Sequence, residues 1–360
     1  MKRTIKIILF NLLAIAILLE ISLRFIPYFK TSSEKSEGVY VNYYGQVKNS
    51  WYHTWEPNSN NTISSSNEFN FHFKANSLGL REKEFSKNKP DTVTRIMVLG
   101  DSYVAGVGAD SNDTWPSQLE KILNGKYDHR FEVINAGVSG SDPFYCFTLL
   151  RDKLITYTPD AVIVAVNTSD IYDFIYRGGR ERFYPDGTTH YKLGPWFEPL
   201  FHYSYFFRFL VRVTGYGKAL ERRSEIPKWN RIATDSIASV LADSKMLCDR
   251  NQIKFLSVIH PNGGFAIQNL GNTVLKSFYY SVPADIHLLG KKLTYTNNID
   301  VSTELMKEVN DFNYKEYVWP SDKHFTAKGY AYFASIVYDN VLYTDSDFFK
   351  IQQLQTTTKL

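Results

Sequence analysis

A serine at the end of a predicted strand is the residue best placed for chemistry in this sequence. Ser102 lies in the segment RIMVLGDSYVAGVG, where a run of apolar residues ends at Gly100 and a Gly-rich helix start follows. At the carboxyl end of a parallel strand a hydroxyl faces the crevice in which open α/β sheets bind ligands. The first amides of the helix can donate hydrogen bonds to an oxyanion. The position predicts a nucleophile, although Asp101 or Ser102 could also serve only as a helix cap.

A nucleophilic serine needs a histidine to accept its proton and a carboxylate to orient that histidine. Of the eight histidines, His324 stands in a polar loop before a predicted helix, with Asp322 two residues earlier. The helix is predicted from apolar residues at helical spacing, namely Tyr330, Phe333, Ala334, Ile336 and Val337. We predict that Asp322 and His324 act with Ser102, with Ser321 as the rival for the role of Asp322. The alternative is that Asp322 only caps the helix and His324 rests on the sheet edge.

With these residues the chain resembles the SGNH, or GDSL-type, serine hydrolase family in four blocks, which follow the family order over roughly residues 76–345. The first block is GDSY, and the second is VINAGVSGSDP, where the family's oxyanion glycine corresponds best to Gly140. The others are AVIVAVNTSD and SDKHFTAKGY. Together with the upstream segment NSLGLR, they look like membrane-anchored bacterial members that act on cell-envelope glycans.

Two departures from the family pattern concern the site itself. The family's G-x-N-D aligns with residues 167–170, which puts Ser169 where the family has its oxyanion asparagine. The predicted oxyanion hole therefore contains the amides of Ser102 and Gly140, with a third donor from Asn167, from Ser169, or from neither. The acid also stands two residues before the histidine instead of the more common three. Alginate-acetylating relatives resemble this D-x-H spacing, which favours O-acyl groups on sugars.

The resemblance implies an enzyme that removes or transfers acyl groups, most simply acetyl groups, on a cell-envelope glycan or another acylated small molecule through an acyl-serine. Water as acceptor makes it an esterase, and a sugar hydroxyl makes it an O-acyltransferase. A membrane protein that delivers acyl groups is a candidate partner. No cofactor or metal is expected, since no ligand spacing typical of a metal site occurs. The alternative is a catalytically weak glycan-binding or assembly protein, which the serine at position 169 favours.

The first 30 residues decide the predicted compartment. Three basic residues precede an uncharged run from Ile7 to Leu19, and extension to Ile26 gives the roughly 20 residues that a membrane span needs. No small-x-small cleavage site follows. We predict an uncleaved single-pass anchor in the inner (cytoplasmic) membrane, with the basic end inside and the rest of the chain extracytoplasmic, periplasmic or on the cell surface. A cleaved signal peptide and a buried helix are the alternatives.

The net charge of +4 also comes from this segment, which holds five Lys or Arg and one Glu. The remaining chain is charge-balanced, so nothing indicates a nucleic-acid partner. The two cysteines, Cys146 and Cys248, fall on predicted buried helix faces and are expected to remain unpaired.

Five predicted strands alternate with helices along the rest of the chain. They are Ile96–Leu99, Phe131–Ile134, Ala161–Val166, Lys254–Ile259 and a weaker Ile299–Val301. This order indicates an α/β fold, a three-layer α/β/α sandwich with a mostly parallel, doubly wound sheet of roughly five strands.

The predicted domain organisation has four parts. Residues 1–30 form the anchor, and 31–90 a polar tether and an N-terminal extension of short strands and loops. Residues 91–345 form the hydrolase-like domain, and 346–360 a C-terminal tail.

An aromatic and basic insertion occupies about residues 172–228 of the predicted domain. Three interpretations remain open for it. It could be a cover of the sheet with buried aromatics, or a sugar-binding rim that uses Arg177, Arg180 and Arg182. The third is a membrane-contacting segment, suggested by apolar residues beside Arg208 and Arg212.

Overall fold

The computed structural model describes residues 2–26, 54–65, 67–177, 179–180, 183, 200, 203–214, 226–261, 289, 293, 298–309 and 313–350. Its centre is a five-stranded sheet in the order β4-β3-β5-β6-β7, in which each neighbouring pair is parallel. The strands are β3 Val93–Leu99, β4 Arg130–Asn135, β5 Ala161–Asn167, β6 Lys254–His260 and β7 Asn298–Asp300. The predicted α/β fold with a parallel sheet is confirmed, and the weak fifth strand lies one residue earlier than predicted.

Helices cover both faces of the sheet because its strands are apolar on both sides. The described helices are α1 Lys2–Leu23, α2 Ser102–Ala105, α3 Trp115–Lys126, α4 Pro143–Asp152, α5 Thr168–Arg177, α6 Tyr205–Val213, α7 Ile226–Arg250, α8 Ser302–Glu308, α9 Tyr314–Tyr317 and α10 Ala327–Thr344. Successive residues of β3 enter different cores. Ile96 and Val98 share a cluster with residues of α3 and α10, whereas Met97 and Leu99 share one with residues of α4 and α7. The alternation produces the three layers.

An antiparallel hairpin precedes the domain. Its strands are β1 Asn60–Ser65 and β2 Phe69–Lys74, which pair in register from Asn60 with Lys74 to Ser65 with Phe69. The sequence predicted short strands and loops over residues 31–90, and the residues described there include this hairpin. The chain then enters the fold, because Leu80 and Arg81 are both buried.

Helix α1 is long and apolar enough to cross a membrane over residues Arg3–Leu23, and it is the one such helix in the described part of the chain. A membrane span and a signal sequence both have this length and composition. Most of its large apolar side chains are exposed, from Ile5 to Ile21. The alternative of a helix buried in a soluble core is therefore wrong.

The packed domain ends later than the predicted boundary at residue 345. Phe348 and Phe349 are buried in the core cluster beneath α10. The Lys254 ammonium donates to the carbonyl oxygens of Asp347, Phe348 and Lys350, and these bonds hold the segment against β6. The predicted tail began at residue 346, but the chain turns there and returns these two aromatic side chains to the core.

Both cysteines are free and buried, as expected, with Cys146 on α4 and Cys248 on α7. Of the three arginines of the predicted sugar-binding rim, Arg180 forms an ion pair with Asp243 of α7. The side chains of Arg177 and Arg182 lie outside the described residues, as does most of the insertion between α5 and α6.

Candidate active site

Ser102 is the first residue of α2, immediately beyond the end of β3. The Asp101 side chain caps this short helix by accepting a hydrogen bond from the Tyr103 amide at 2.9 Å. Gly106 ends the helix in a left-handed conformation with φ of 79°, which glycine adopts without steric cost. The helix is thus a single turn fixed at both ends, and it holds the Ser102 backbone at the carboxyl edge of the sheet.

His324 and Asp322 lie in the loop before α10, and the structure brings both to Ser102. The Ser102 hydroxyl is 2.8 Å from Nε2 of His324, and Nδ1 of His324 contacts Oδ1 of Asp322. Thr326, not Asp322, caps α10 by accepting a hydrogen bond from the Gly329 amide. The contacts predicted for Ser102, His324 and Asp322 are therefore present, and the helix-cap alternative for Asp322 is wrong.

The backbone conformation of this loop and its contacts with the segment after Ser102 position His324. Lys323 adopts φ of 77°, which turns the chain between the acid and the histidine. The Tyr103 hydroxyl donates to the Lys323 carbonyl at 3.0 Å, and the Tyr103 ring lies 4.8 Å from the His324 ring. Trp319 donates from its indole nitrogen to the Gly108 carbonyl at 2.7 Å. The segment after the nucleophile and the histidine loop therefore hold each other in place.

The environment of Asp322 favours its ionised form. Burial alone would raise the pKa of this carboxyl, but the hydrogen bond and charge of His324, with a hydrogen bond from Ser65, bring the pKa below its ordinary value. Its side chain is 18% exposed and that of His324 19% exposed. An ionised carboxylate at Nδ1 fixes the tautomer in which Nε2 can accept the proton of Ser102.

The β1–β2 hairpin supports the same loop through Glu68 at its turn. The two carboxylate oxygens of Glu68 accept hydrogen bonds from the amides of Ser321 and Asp322 at 2.8 and 3.0 Å. Phe69 adds a ring contact with Trp319 at 5.5 Å. Ser321, the alternative to Asp322 for the role of orienting the histidine, is thus held in this loop by its backbone amide. Sequence reasoning missed Glu68, which is more than 250 residues from its partners.

Arg81, in the upstream segment that looked like part of the family pattern, is another residue to which the sequence assigned no role. Its guanidinium donates to the carbonyl oxygens of Ala105, Gly106 and Ala109 at 2.6 to 3.1 Å. It is buried, at 3% exposure. Because these carbonyls belong to the end of α2 and the following turn, Arg81 fixes the nucleophile's helix from behind.

Two hydrogen bonds join the turn that carries Gly140 to Gly100, the residue before Asp101. The Val138 amide and the Ser141 hydroxyl both donate to the Gly100 carbonyl, at 2.9 and 2.8 Å. Gly140 has φ of 75°, a conformation that side chains rarely adopt. The structure therefore keeps the predicted oxyanion glycine in a turn fastened to the nucleophile's own strand.

Asn167 and Ser169, the alternatives for a third oxyanion donor, lie in a polar network around Asp101. The Asn167 side-chain amide donates to Oδ2 of Asp101 at 2.7 Å. The Ser169 hydroxyl lies 2.7 Å from the Asn167 side-chain oxygen and 3.3 Å from Oδ2 of Asp101. Asn167 is only 1% exposed, whereas Ser169 is half-buried. Both side chains therefore bond within the protein, beneath the nucleophile.

Two further titratable groups are buried at this edge of the sheet. Desolvation, reinforced by the charges of Asp101 and Asp173, raises the pKa of Asp170 well above its ordinary value. Burial lowers the pKa of His260, although the nearby Asp101 opposes this. His260 bonds through Nδ1 to the Pro261 carbonyl and packs against Tyr103 and Phe333. The lowered pKa favours its neutral form, and the ring is fully buried.

No group of three or more His, Cys, Asp or Glu side chains that could hold a metal ion occurs within the described ranges. The acid–base groups near Ser102 are thus those of a nucleophilic hydroxyl with a histidine and a carboxylate. That arrangement can transfer an acyl group without a cofactor.

Residues 98–193 match the model of the GDSL-like Lipase/Acylhydrolase family. Among solved structures, an acetyl xylan esterase is similar at 15% identity and a TM-score of 0.41, over 69% of this chain and 99% of that chain. A catalytic mutant of an acetylxylan esterase from Geobacillus stearothermophilus is similar at 12% identity and a TM-score of 0.40, over 69% and 94% of the two chains. No curated protein matches the sequence.

A third solved structure is a two-domain esterase active on acetylated mannans, crystallised with mannopentaose. It is 13% identical, with a TM-score of 0.40, over 71% of this chain and 50% of that chain. The chain thus spans about half the length of that esterase.

The matched segment begins inside β3 and contains Ser102, the Gly140 turn and the whole of β5. His324 lies beyond it in sequence and reaches Ser102 in space. The segment 98–193, which carries Ser102 and the Gly140 turn, is therefore similar to the GDSL-like Lipase/Acylhydrolase family.

Proposed function

We propose that this protein is an esterase or O-acyltransferase in which Ser102 carries the acyl group. The observation that supports the proposal is the continuous contact from the Ser102 hydroxyl through both nitrogens of His324 to Asp322. In the first step Nε2 of His324 takes the hydroxyl proton as the serine oxygen attacks the ester carbonyl. Asp322 stabilises the imidazolium that forms.

The tetrahedral intermediate places a negative charge on the former carbonyl oxygen. We assign its stabilisation to the backbone amides of Ser102 and Gly140, since the Asn167 amide already donates to Asp101. Collapse of the intermediate breaks the bond to the leaving alcohol, and the imidazolium returns its proton to that alcohol. An acyl-serine and a free alcohol result.

The second step determines whether the protein hydrolyses or transfers. His324 removes a proton from water or from a sugar hydroxyl, which attacks the acyl-serine and releases Ser102. The same residues serve both acceptors, so the outcome depends on how well the site positions the acceptor and excludes water.

The proposed substrate is an O-acetylated glycan of the cell envelope. The D-x-H spacing of Asp322 and His324, which resembles alginate-acetylating relatives, supports a sugar ester. The apolar helix α1 supports an anchor with the remaining chain outside the cytoplasm. In a transferase, a membrane protein would supply the acyl groups.

The test is hydrolysis of p-nitrophenyl acetate by the full chain in detergent, with and without an acetyl-accepting oligosaccharide. We expect slow turnover that Ser102→Ala reduces by roughly 10⁴–10⁶-fold. Labelling by a fluorophosphonate should disappear in the same variant and persist in Ser244→Ala, whose hydroxyl bonds to the Val240 carbonyl within α7. Unchanged turnover in Ser102→Ala would refute the assignment.

A catalytically weak glycan-binding protein is the second candidate. The observation that favours it is Ser169, which stands where the family has an asparagine and whose hydroxyl bonds inside the protein. Oligosaccharide binding without fluorophosphonate labelling of the folded chain would select this candidate.

A further inference from the structure

The capping of helix α6 by a residue of helix α1 is a feature that the proposed chemistry does not use. Glu20 of α1 accepts hydrogen bonds from the amides of Tyr205 and Phe206 at 3.1 and 2.9 Å. The Ser204 hydroxyl donates to Glu20 at 2.8 Å and accepts from the Phe207 amide at 3.1 Å. Three of the four amides that a helix start leaves unbonded are therefore satisfied. Glu20 in turn pairs with Arg24 at 3.1 Å.

Side-chain packing continues the contact between the two helices. Leu19 and Leu23 of α1 form a small cluster with Tyr205, Phe206 and Phe209 of α6. The Arg24 guanidinium lies 5.4 Å from the centre of the Tyr205 ring. A segment that is removed after export could not keep these contacts, so they persist only if α1 stays in the mature protein.

The apolar stripe of α6 extends beyond the part that α1 covers. Phe206, Phe209, Leu210 and Val213 follow one another at helical spacing and share one side of the helix. Leu210 is 38% exposed and Val213 is 66% exposed, whereas Arg208, on the opposite side, is 1% exposed. Arg208 is thus turned inward, whereas Leu210 and Val213 are turned outward, which is the reverse of the pattern of an ordinary surface helix.

The position of Glu20 along α1 indicates which surface covers this stripe. Glu20 lies 18 residues after Lys2, the first basic residue, or roughly 27 Å along the helix axis at about 1.5 Å per residue. The hydrocarbon core of a bilayer is about 30 Å thick. Glu20 and Arg24 therefore fall near the boundary opposite the basic N-terminus, and α6 is fastened to α1 at that level.

We propose that α6 lies in the headgroup–acyl boundary of a phospholipid bilayer, with Leu210 and Val213 inserted among the acyl chains and Glu20 as its attachment to the anchor. This inference rests on the proposed membrane anchor and is independent of the ester chemistry. Helices with such an apolar side bind membrane interfaces. Helix α6, which lies between β5 and β6 in the sequence, is then held at the membrane surface.

The test uses nitroxide labels on single introduced cysteines of the full chain, in vesicles of phosphatidylethanolamine and phosphatidylglycerol. The native cysteines are buried and should not react. Val213→Cys probes α6, Leu12→Cys probes the anchor, and Met246→Cys, at a 48% exposed apolar residue of α7, is the matched aqueous control. We expect the Val213 and Leu12 labels to collide more often with oxygen than with a water-soluble nickel chelate, and the Met246 label to behave oppositely.

The outcomes separate this inference from the proposed anchor. A Val213 label that matches the Met246 label, with the Leu12 label in lipid, would overturn the docking of α6 alone. Aqueous behaviour of both Val213 and Leu12 labels would refute the anchor as well. Dipolar broadening between Val213 labels would show that a second copy covers the stripe, which also overturns the proposal.

A second variant tests the attachment itself. Glu20→Ala removes the cap of α6, so we expect it to return the Val213 label to water while the Leu12 label stays in lipid. An unchanged Val213 label in this variant would exclude Glu20 as the attachment.

Discussion

The acid–histidine pair depends on the single residue that separates its members. In an extended strand, residues two apart point the same way but are about 6.6 Å apart, too far for a hydrogen bond between short side chains. The left-handed turn at Lys323 shortens the distance between the two side chains. The Asp322 carboxylate contacts Nδ1 of His324 and accepts a hydrogen bond from the His324 backbone amide at 3.4 Å. The D-x-H spacing therefore needs this local turn to give the same contact as the family's longer spacing.

Asp322→Asn should reduce kcat for p-nitrophenyl acetate by about 10⁴-fold, because the amide favours the wrong imidazole tautomer. Ser321→Ala is the matched control. It keeps the backbone amide that Glu68 binds, and its kcat should stay within a few-fold of the wild type. The lowered pKa of Asp322 keeps this carboxylate ionised in mildly acidic solution, so its protonation should cause no loss of activity there. Equal losses in the two variants would argue against Asp322 as the orienting acid.

The oxyanion hole gives a sharper comparison between two neighbouring side chains. Since the Ser169 hydroxyl and the Asn167 amide both bond around Asp101, we expect Ser169→Ala to lower kcat by less than about tenfold. Loss of a true oxyanion donor costs roughly 10²–10³. Asn167→Ala should lower the melting temperature together with activity, because it leaves the buried Asp101 carboxylate short of a donor.

The kinetics and melting curves of Ser169→Ala and Asn167→Ala show whether either side chain is an oxyanion donor. A loss of 10² or more in Ser169→Ala, at an unchanged melting temperature, would mean that its hydroxyl turns to the oxyanion during reaction.

Among the elements, the β1–β2 hairpin acts at the greatest sequence distance. Its turn binds the loop of Asp322 through Glu68, and Ser65 at the end of β1 bonds to Asp322 itself. The hairpin is therefore a support for the catalytic loop, although its own strands make no contact with Ser102 that the structure records.

We predict that Glu68→Ala lowers kcat for the acetate ester by about tenfold with little change in KM, since misplacement of catalytic groups affects the reacting geometry most. Glu84→Ala is the matched control, because Glu84 also accepts a backbone amide, that of Ser77 at 2.6 Å, away from the site. Glu68→Gln, which keeps one acceptor oxygen, should recover part of the loss. The pH profile of kcat/KM should change in Glu68→Ala alone, and identical profiles would mean that the hairpin is only structural.

The sequence predicted those elements and site residues whose signal lies in neighbouring residues of the chain. Strands such as Ala161–Asn167 are continuous apolar runs because both faces are buried, and GDSY and DKH mark strand and helix ends. Glu68 could not be found this way, because a charged residue in a polar turn has no local signal for a partner so distant in sequence. The bonding of Asn167 and Ser169 was equally hidden, since it depends on how β3 and β5 bring Asp101 beside them.

For the whole molecule, the carboxyl edge of the sheet concentrates buried acids beneath the nucleophile. Asp101, Asp142 and Asp170 are each at most 5% exposed. Asp101 and Asp142 cap helices α2 and α4. Asp170 accepts a hydrogen bond from the backbone amide of Asn167 at 2.8 Å. Ionisation of Asp170 in the folded state costs stability, because burial and the like charges of Asp101 and Asp173 disfavour its charged form.

Asp170 is where this cost can be measured. Its folded pKa is raised, so its contribution to stability is fully present below the unfolded pKa of about 3.9 and is lost as pH rises toward the folded value. Asp170→Asn keeps an acceptor for the Asn167 amide and cannot ionise. We therefore expect the variant to match the wild type near pH 4 and to melt at least about 2 °C higher near pH 8. Asp128→Asn, at an exposed carboxylate of similar size, should leave the difference between the two pH values unchanged. Parallel melting curves of wild type and Asp170→Asn across this range would mean that Asp170 is compensated in its ionised form, and that the acids beneath Ser102 carry no net cost to the fold.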